Sequence, residues 1–529
     1  MAASCKLQAA SNTPLRGNPG TRKSELRTQN KEHRMRKYHH IKINLPGGIM
    51  AAGDLHTWME AAERCGVDQV QFGNRQQLYF VADSSNEKAF RKELDQLGVF
   101  YEANNDEYAN ILTSYVAEDV FQNANWLSEG VYKDILGLFD YRPKMKLNLV
   151  DANQSFIPFF TGNINFISSP VNNYWYLYVR FPKTTVIYCW KGLIYSDDIP
   201  RMTWLLEEAI AANPTLTDGD ALYEMVHNKQ LFVTQPVSSE LAIPKFALPY
   251  YEGFNRYGEK TWLGIYRRDE CFPVSFLKDI ASLCLKTKVG QLYVTPWKSL
   301  IVKGIAQNDR TAWEYVLNTY RINVHHAANE LNWQIEDLSE EGLNLKRYII
   351  RQFDKDDVRT HGLSFAIKTK SKSGLFGLFG AVVIAKQQNA SRNKSAAMNR
   401  YDIMYTKDFN PNSREYILFR SAVQKEELGA YLISLCKYFY ELTTEADKIL
   451  HSVYRQEVAQ EPATKAAVNV PVIHQCKHCF TVYDEQYGDS VNDIAAGTPF
   501  EQLPATYQCP VCESDKSDFE VVKAEGVKA

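Results

Sequence analysis

The chain has 529 residues, with 60 Lys and Arg against 62 Asp and Glu, a formal net charge of −2, 45% hydrophobic residues and 12% aromatic residues. This composition is typical of a globular protein with several cores. The balanced charge excludes binding to nucleic acid or to a membrane surface by bulk charge, and no stretch approaches the roughly 20 apolar residues needed to span a bilayer.

Residues 1–37 carry nine Lys and Arg but only two acids, Glu25 and Glu32, between Ser, Asn, Pro and Gly. This pattern predicts a disordered basic tail, or an upstream extension ahead of a start near Met35. Of the ten cysteines, six are single and four lie in two tight pairs. That usage is typical of a reduced, cytoplasmic protein with one metal site.

An internal repeat follows the tail. The sequence after Tyr38 matches the sequence after Thr261 without gaps, at a constant offset of 222 in the numbering. In both copies apolar residues recur first at every second position, then with helical spacing, and then at every second position in two further segments. This succession predicts strand, helix, strand, turn, strand. The matched apolar pairs include Ile41 with Leu263, Leu55 with Leu277, Val70 with Leu292, and Phe80 with Val302.

A second correspondence follows at an offset of 218, where Leu147 matches Phe365 and Ile164 matches Val382. Each copy then continues through an aromatic strand into an amphipathic helix, predicted at 197–210 and 426–440. We therefore expect a tandem duplication. Its predicted parts are half domains at 38–110 and 246–330, larger α+β halves at 111–245 and 331–455, a linker at 456–473 and a small domain at 474–522.

The small domain holds two C-x-x-C pairs, one beginning at Cys476 and the other at Cys509. Each pair turns two thiolates toward one metal ion from a single tight loop, so two loops complete a tetrahedral site of four sulfurs. The spacing alone suits either zinc or iron. The four candidate ligands are Cys476, Cys479, Cys509 and Cys512.

The residues around these pairs closely resemble rubredoxin in order and spacing, including Tyr483-Asp484, Gly497-Thr-Pro-Phe-Glu501 and Tyr507-Gln-Cys-Pro-Val-Cys512. The resemblance implies one iron ion that cycles between ferric and ferrous states on the four cysteines. It also implies an aromatic core of Tyr483, Phe500, Tyr507 and Phe519. Rubredoxins usually carry glycine directly after each pair, where this chain has Phe480 and Glu513. A structural zinc ribbon is the alternative.

Residues 474–520 contain nine acids against Lys477 and Lys516, a net charge of −7. An acidic electron carrier favours a basic docking surface on its redox partner. Surface solubility explains the same charge equally well.

The duplicated body resembles the nitrite and sulfite reductase family. Gly73-Asn-Arg-Gln76 lies where that family has T-x-R-Q, Thr295-Pro-Trp-Lys298 resembles T-P-W-Q, and Pro143-Lys-Met-Lys146 resembles P-R-K-F-K-I. The implied fold class is α+β, with ferredoxin-like half domains in a tandem duplicated body and a C-terminal rubredoxin-like domain. In that family the matching positions bind anionic substrate and siroheme, which makes Arg75, Lys144 and Lys146 the candidate anion or tetrapyrrole ligands.

The family holds a four-iron cluster through C-x5-C and C-x3-C in the second copy, but this chain has no cysteine between Cys284 and Cys436. We therefore expect no four-iron cluster. The leading hypothesis is an electron-transfer protein whose iron site is tethered to a docking body, with a reductase as donor or a nitrite or nitrate assimilation enzyme as acceptor. The rivals are a siroheme-binding or tetrapyrrole-binding reductase fed by its own rubredoxin domain, and a zinc-ribbon interaction protein without redox activity.

Overall fold

A computed structural model describes residues 38–118, 120–121, 126–182, 184–230, 232–370, 377–387, 399–458, 472–479, 481–485, 487–489 and 491–523. The chain divides into two units, Met1–Leu442 and Thr443–Ala529. None of the described helices is long and apolar enough to cross a membrane.

The first stretch of the larger unit contains β1 (Tyr38–Ile43), β2 (Ile49–Ala51), α1 (Ala52–Arg64), β3 (Gln69–Phe72), β4 (Leu78–Asp83), α2 (Glu87–Gln96) and β5 (Glu102–Ala103). The strand, helix, strand, turn and strand predicted for the first repeat are β1, α1, β3 and β4, whereas β2, α2 and β5 were not predicted. Apolar side chains recur on one face of α1 at Leu55, Met59 and Ala62, all of which are buried. This helical spacing explains why the segment folds as a helix that covers a sheet.

The next stretch forms a second sheet with its helices. Its elements are β6 (Ile111–Thr113), α3 (Glu129–Gly137), β7 (Leu147–Val150), β8 (Ile164–Ser168), β9 (Tyr174–Val179), β10 (Tyr188–Cys189), β11 (Gly192–Tyr195), α4 (Ile199–Ala212), α5 (Gly219–Lys229) and β12 (Thr234–Pro236). Strands β6, β7 and β8 are parallel, and β9 joins them antiparallel.

The third and fourth stretches repeat this plan. They contain β13 (Gly253–Tyr257), β14 (Lys260–Ile265), β15 (Cys271–Pro273), α6 (Val274–Lys286), β16 (Gln291–Val294), β17 (Leu300–Ile305), α7 (Arg310–Thr319), α8 (Ala328–Leu331), β18 (Trp333–Ile335), α9 (Glu340–Lys355), β19 (Phe365–Lys368), β20 (Val382–Lys386), β21 (Arg400–Thr406), β22 (Tyr416–Gln424) and α10 (Leu428–Val458). Strands β18, β19 and β20 are parallel and β21 is antiparallel to them, as in the second sheet.

The repeat registers agree with the elements of the structure. The first residues of β1, β3, β4 and α1 are related to those of β14, β16, β17 and α6 by the predicted offset of 222. The first residues of β7 and β8 are related to those of β19 and β20 by the predicted offset of 218. Positive φ angles recur at the offset of 222, at Gly48 and Glu270, Gly66 and Lys288, and Gln76 and Lys298. The α+β fold with a tandem duplicated body is therefore confirmed.

Two short strands exchange between the copies. Strand β2 of the first copy pairs with β16 of the second, and β15 of the second pairs with β3 of the first. The sheet orders are β15-β3-β4-β1-β5 and β13-β14-β17-β16-β2. One hydrophobic core contains residues of both half domains, including Leu55 and Met59 of α1 and Leu277 and Ala281 of α6. The two half domains thus share a single core.

The predicted amphipathic helices begin slightly later than expected. Acidic residues predicted to open them form single 3₁₀ turns instead, at Ser196–Asp198 and Lys425–Glu427. Helix α10 runs to Val458, which lies inside the predicted linker. Most of that linker, 459–471, lies outside the described residues, as does the predicted tail 1–37.

The smaller unit contains a three-stranded antiparallel sheet. Its strands are β23 (Val472–Cys476), β24 (Val482–Tyr483) and β25 (Phe519–Lys523), in the order β24-β23-β25. Cys476 is the last residue of β23 and pairs with Phe519, the first residue of β25. The sheet therefore places one cysteine loop beside the predicted aromatic core.

Candidate metal centre

Two loops of the same construction carry the four candidate cysteines. In the first loop the amide of Cys476 donates to the carbonyl of Thr481 at 2.9 Å. In the second loop the amide of Cys509 donates to the carbonyl of Ser514, also at 2.9 Å. Each hydrogen bond joins the first cysteine of a pair to the residue five positions later. This hydrogen bond closes each loop around its two cysteines.

The four sulfurs lie together. All are within 4.8 Å of one another, with Cys476 Sγ 3.6 Å from Cys512 Sγ and Cys479 Sγ 3.4 Å from Cys509 Sγ. A metal–sulfur bond of about 2.3 Å in a regular tetrahedron separates the sulfurs by about 3.8 Å. The observed spacing is close to that value, so these cysteines fit a single tetrahedrally coordinated ion.

The thiols differ in exposure and in acidity. Cys476 and Cys509 are buried, Cys479 is intermediate and Cys512 is exposed. A hydrogen bond with the Ser514 hydroxyl lowers the pKa of Cys476 to about 6, and one with the Thr481 hydroxyl lowers the pKa of Cys479. Burial raises the pKa of Cys509 to about 11. Metal binding requires deprotonated thiols, so a cation must offset the cost of ionising Cys509.

The predicted aromatic core is present in the same unit, and its Phe519 pairs with Cys476 across two strands. Tyr483, Phe500 and Tyr507 are buried and pack with Leu503, with Phe519 against them. Sequence analysis missed His474, whose ring stacks on Phe500 with centroids 4.0 Å apart. His474 lies in β23 directly across from buried Tyr483, a pairing that only the structure shows.

The residue that replaces glycine in the second loop adopts a backbone conformation that favours glycine. Glu513 has a φ of 59°, in the left-handed region that glycine enters without steric cost. Its amide donates to the carbonyl of Cys509 at 2.9 Å. The corresponding residue of the first loop, at position 480, lies outside the described residues.

The candidate anion ligands of the body separate into two groups. Arg75 is 6% exposed, and its guanidinium donates to Asn148 Oδ1 at 3.0 Å and to the carbonyls of Asn110 and Leu147 at 3.0 and 2.6 Å. Burial lowers the pKa of Arg75 to about 10. Burial and the charge of Arg75 also lower the pKa of Lys146. The structure thus brings Arg75 and Lys146 into one buried region.

Lys144 lies elsewhere. Its side chain is exposed and its Nζ lies 3.0 Å from Glu107 Oε1. This ion pair raises the pKa of Lys144. A surface lysine and a half-buried one are therefore separated by a single residue of sequence, Met145.

Two further buried cations were missed by sequence analysis. Arg180 and Arg414 are 8% and 6% exposed, and they belong to different copies of the repeat. Burial and the nearby charge of Arg414 lower the pKa of Arg180 to about 10, and the charge of Arg180 in turn lowers the pKa of Lys146. Neither arginine belongs to a motif, so the sequence offered no signal that would place Arg180 near Lys146 or Arg414 near Arg180.

Comparison with known proteins identifies the smaller unit. A family profile described as rubredoxin matches residues 473–519. The chain is 50% identical over 48 residues to a rubredoxin in an uptake hydrogenase operon of Azotobacter chroococcum, covering 9% of this chain and 67% of that protein. It is 46% identical over 50 residues to the probable rubredoxin HupI of Bradyrhizobium diazoefficiens, covering 10% of this chain and 72% of that protein.

Two further comparisons extend this result, one to another protein sequence and one to a solved structure. The anaerobic nitric oxide reductase flavorubredoxin of Salmonella paratyphi A is 36% identical over 67 residues, covering 13% of this chain and 14% of that protein. The solved structure of Mycobacterium tuberculosis NirA superposes with a TM-score of 0.56 at 13% identity, covering 75% of this chain and 80% of that one. The body therefore has a NirA-like fold. The resemblance to a rubredoxin domain joined to a nitrite/sulfite reductase-like body is confirmed.

Proposed function

The chain belongs to the rubredoxin family through its C-terminal domain, and from this premise we propose that the domain is a one-electron carrier. Its ligands are Cys476, Cys479, Cys509 and Cys512. Iron held by four thiolates supplies one-electron chemistry between the ferric and ferrous states. The observation that carries this proposal is the set of four sulfurs at tetrahedral spacing within a rubredoxin domain.

The protein around the four cysteines suits this role. The two loops hold the thiolates in place through the hydrogen bonds that the backbone amides of Cys476 and Cys509 donate. Little rearrangement therefore accompanies a change of charge. Exposed Cys512 brings one sulfur to the surface, where a partner protein can approach. Cys476 and Cys509 are themselves buried, which limits the access of water to two of the four sulfurs.

Metal analysis of the full-length chain tests this proposal. We expect one iron per chain, a red as-isolated protein, and reversible bleaching when dithionite reduces it. Stoichiometric zinc in protein from its native source, with no visible absorption, would support the zinc-ribbon alternative and contradict the carrier.

We propose that the body is a docking scaffold for the redox partner and that it carries no four-iron cluster, because the chain lacks cysteines between Cys284 and Cys436. The acceptor we propose is a nitrite or nitrate assimilation enzyme, and the location is the cytoplasm. The single cysteines of the body, including Cys284 and Cys436, are free thiols, which suits a reducing compartment.

Stopped-flow kinetics test the docking role. Reduced full-length chain is mixed with the purified nitrite or nitrate reductase of the same organism, and reoxidation is followed in the visible range. The matched control is the Azotobacter chroococcum rubredoxin, a relative 67% of which aligns with the C-terminal domain alone. We expect the full chain to react at least tenfold faster. Equal second-order rates would remove the docking role.

Siroheme does not fit the three candidate ligands of the body. Lys144 is engaged with Glu107 at the surface, and the guanidinium of Arg75 is directed at Asn148 and two carbonyls. A tetrapyrrole with many carboxylates needs several cations aimed at one cavity. We therefore do not assign a tetrapyrrole reaction to this body.

A smaller anion is the second candidate ligand. Burial and the charge of Arg75 lower the pKa of Lys146, against the opposing influence of the carboxylates of Asp106 and Asp337. The guanidinium of Arg75 donates to an amide oxygen and to carbonyls. Within the described part of the chain, Arg75 Nε is buried without a hydrogen bond. We propose that this region binds an inorganic oxyanion such as nitrite or sulfite.

Isothermal titration of the full chain with nitrite and with sulfite tests this site. Lys146→Ala should weaken binding at least tenfold, because it removes one of the two coupled cations. Lys144→Ala is the matched control and should bind like the wild type, because Lys144 is paired with Glu107 at the surface. No heat with either anion would contradict the site.

A further inference from the structure

Two hydroxyl groups lie against the sulfurs of the metal centre. Each belongs to the second residue after the second cysteine of a pair, Thr481 in the first loop and Ser514 in the second. Thr481 Oγ1 lies 3.0 Å from Cys479 Sγ. Ser514 Oγ lies 2.9 Å from Cys512 Sγ and 3.1 Å from Cys476 Sγ.

The backbone holds both hydroxyls in place. The carbonyls of Thr481 and Ser514 are the same groups that accept the amide hydrogens of Cys476 and Cys509. The backbone of each residue is therefore held beside a cysteine ligand independently of the residue's side chain. The matching position in two loops with different sequences indicates that the contact follows from the loop geometry.

The direction of these hydrogen bonds follows from the chemistry of the groups. A metal-bound thiolate carries no hydrogen and only accepts, whereas a hydroxyl has one hydrogen to donate. Ser514 thus donates to one sulfur at a time, and Cys512 is the nearer of its two neighbours. Buried Cys509 has a sulfur neighbour instead, Cys479 Sγ at 3.4 Å.

We propose that Ser514 and Thr481 are positioning residues that raise the reduction potential of the iron centre by donating O–H···S hydrogen bonds to its cysteine ligands. This inference rests on the proposed one-electron function. Reduction adds an electron to an ion surrounded by four thiolates, so the ferrous centre carries one more negative charge than the ferric centre. A donor hydrogen stabilises the more negative state more strongly, and hydrogen bonds to ligand sulfurs are among the interactions that set such potentials.

The test is a spectroelectrochemical titration of the full-length iron-loaded chain. Ser514→Ala should lower the ratio of ferrous to ferric protein at a fixed potential about tenfold, which corresponds to about 59 mV for one electron. Thr481→Val should lower it several-fold. Ser514→Thr and Thr481→Ser keep the hydroxyl and should remain within about twofold of the wild type.

A second readout and a matched control separate this effect from a general loss of structure. Removing a donor raises the energy of the sulfur electrons, so the sulfur-to-iron charge-transfer band should move to longer wavelength in Ser514→Ala. Ser517→Ala changes an exposed serine in the following segment and should alter neither the potential nor the spectrum.

The outcomes are distinguishable. A wild-type iron protein with a reversible couple, combined with unchanged potentials in both Ser514→Ala and Thr481→Val, overturns this inference and leaves the carrier intact. Colourless or zinc-loaded wild-type protein overturns the carrier itself. If Ser514→Ala fails to retain iron, Thr481→Val and its Thr481→Ser counterpart still decide the question.

Discussion

Lys298 Nζ lies 2.8 Å from Glu270 Oε2 in the interior of the body, where the two residues are 4% and 7% exposed. At the equivalent positions of the first copy stand Gln76 and Gly48, and a Cβ placed on Gly48 would lie 2.8 Å from Gln76 Nε2. One site of the duplicated fold is therefore filled by an ion pair in one copy and by a neutral pair in the other. The backbones agree, with positive φ at all four residues.

The charge of this pair is maintained by its neighbours. Burial alone would lower the pKa of Lys298, but the carboxylates of Glu270 and Asp337 raise it above its ordinary value. Lys298 therefore stays protonated. Removing one partner of a buried ion pair leaves an uncompensated charge, which costs more than the loss of the pair as a whole.

We predict that Lys298→Ala lowers the free energy of unfolding of the body by about 3–5 kcal/mol. The double variant Glu270→Gly/Lys298→Gln, which recreates the pair of the first copy, should lose less than half as much. Urea denaturation followed by far-UV circular dichroism measures both. Arg64→Ala removes the surface pair with Glu93 and should leave the free energy of unfolding close to that of the wild type. A double variant less stable than the single one would contradict this account.

The turn after α6 contains a residue whose replacement by glycine should stabilise the body. Lys288 has a φ of 58° and is exposed, whereas the equivalent residue of the first copy is Gly66. A side chain in the left-handed region costs about 1 kcal/mol, partly offset by the greater freedom of glycine in the unfolded chain. We predict that Lys288→Gly stabilises the body by about 0.5 kcal/mol or more in thermal unfolding. Ser282→Gly, inside α6, should destabilise the body, and a loss of stability in Lys288→Gly would contradict the strain.

The repeat was predictable because side-chain periodicity is local. Alternating and helical spacings at an offset of 222 located β1, α1, β3 and β4 and their counterparts, and the C-x-x-C spacing located the metal centre. The exchange of β2 and β15 was not predictable. Each is a very short strand, and a pattern that short specifies a strand but not its partner.

The candidate anion ligands show a second limit of prediction from the sequence. Lys144 and Lys146 would share one face of a strand, but β7 begins only at Leu147, so alternation does not apply to them. Arg180 approaches Lys146 through tertiary structure alone. The family motifs therefore pointed to Arg75 and Lys146, missed Arg180, and added Lys144, which lies at the surface.

A buried lysine predicts how the stability of the body depends on pH. Lys346 Nζ lies 2.5 Å from Tyr266 Oη and 4.0 Å from Glu270 Oε1. Burial lowers the pKa of Lys346 from 10.5 to about 8, against the opposing influence of Glu270 and Glu330. Between pH 8 and 10.5 the unfolded chain binds this proton and the folded chain does not, so the free energy of unfolding rises with pH by up to about 1.4 kcal/mol per unit.

Comparison with Lys346→Met isolates this contribution from other titrating groups. We predict that the wild type gains about 1 kcal/mol or more relative to Lys346→Met between about pH 7.5 and 9.5, measured by urea denaturation. Below about pH 8 both states of the wild type carry the proton, and the difference between the two proteins should be constant. A difference that is independent of pH across the whole range would show that Lys346 keeps its ordinary pKa.

Separate cores predict that the metal centre and the body respond independently to mutation. The small unit has its own core of Tyr483, Phe500, Leu503 and Tyr507, whereas Cys436 belongs to a core of the body. Cys509→Ser should abolish iron retention and visible absorption while the far-UV signal and thermal transition of the body stay unchanged. Cys436→Ser is the converse control, because it should keep the iron and lower the thermal transition of the body by placing a hydroxyl in an apolar core. A cooperative loss of the whole far-UV signal in Cys509→Ser would show that the two units fold as one.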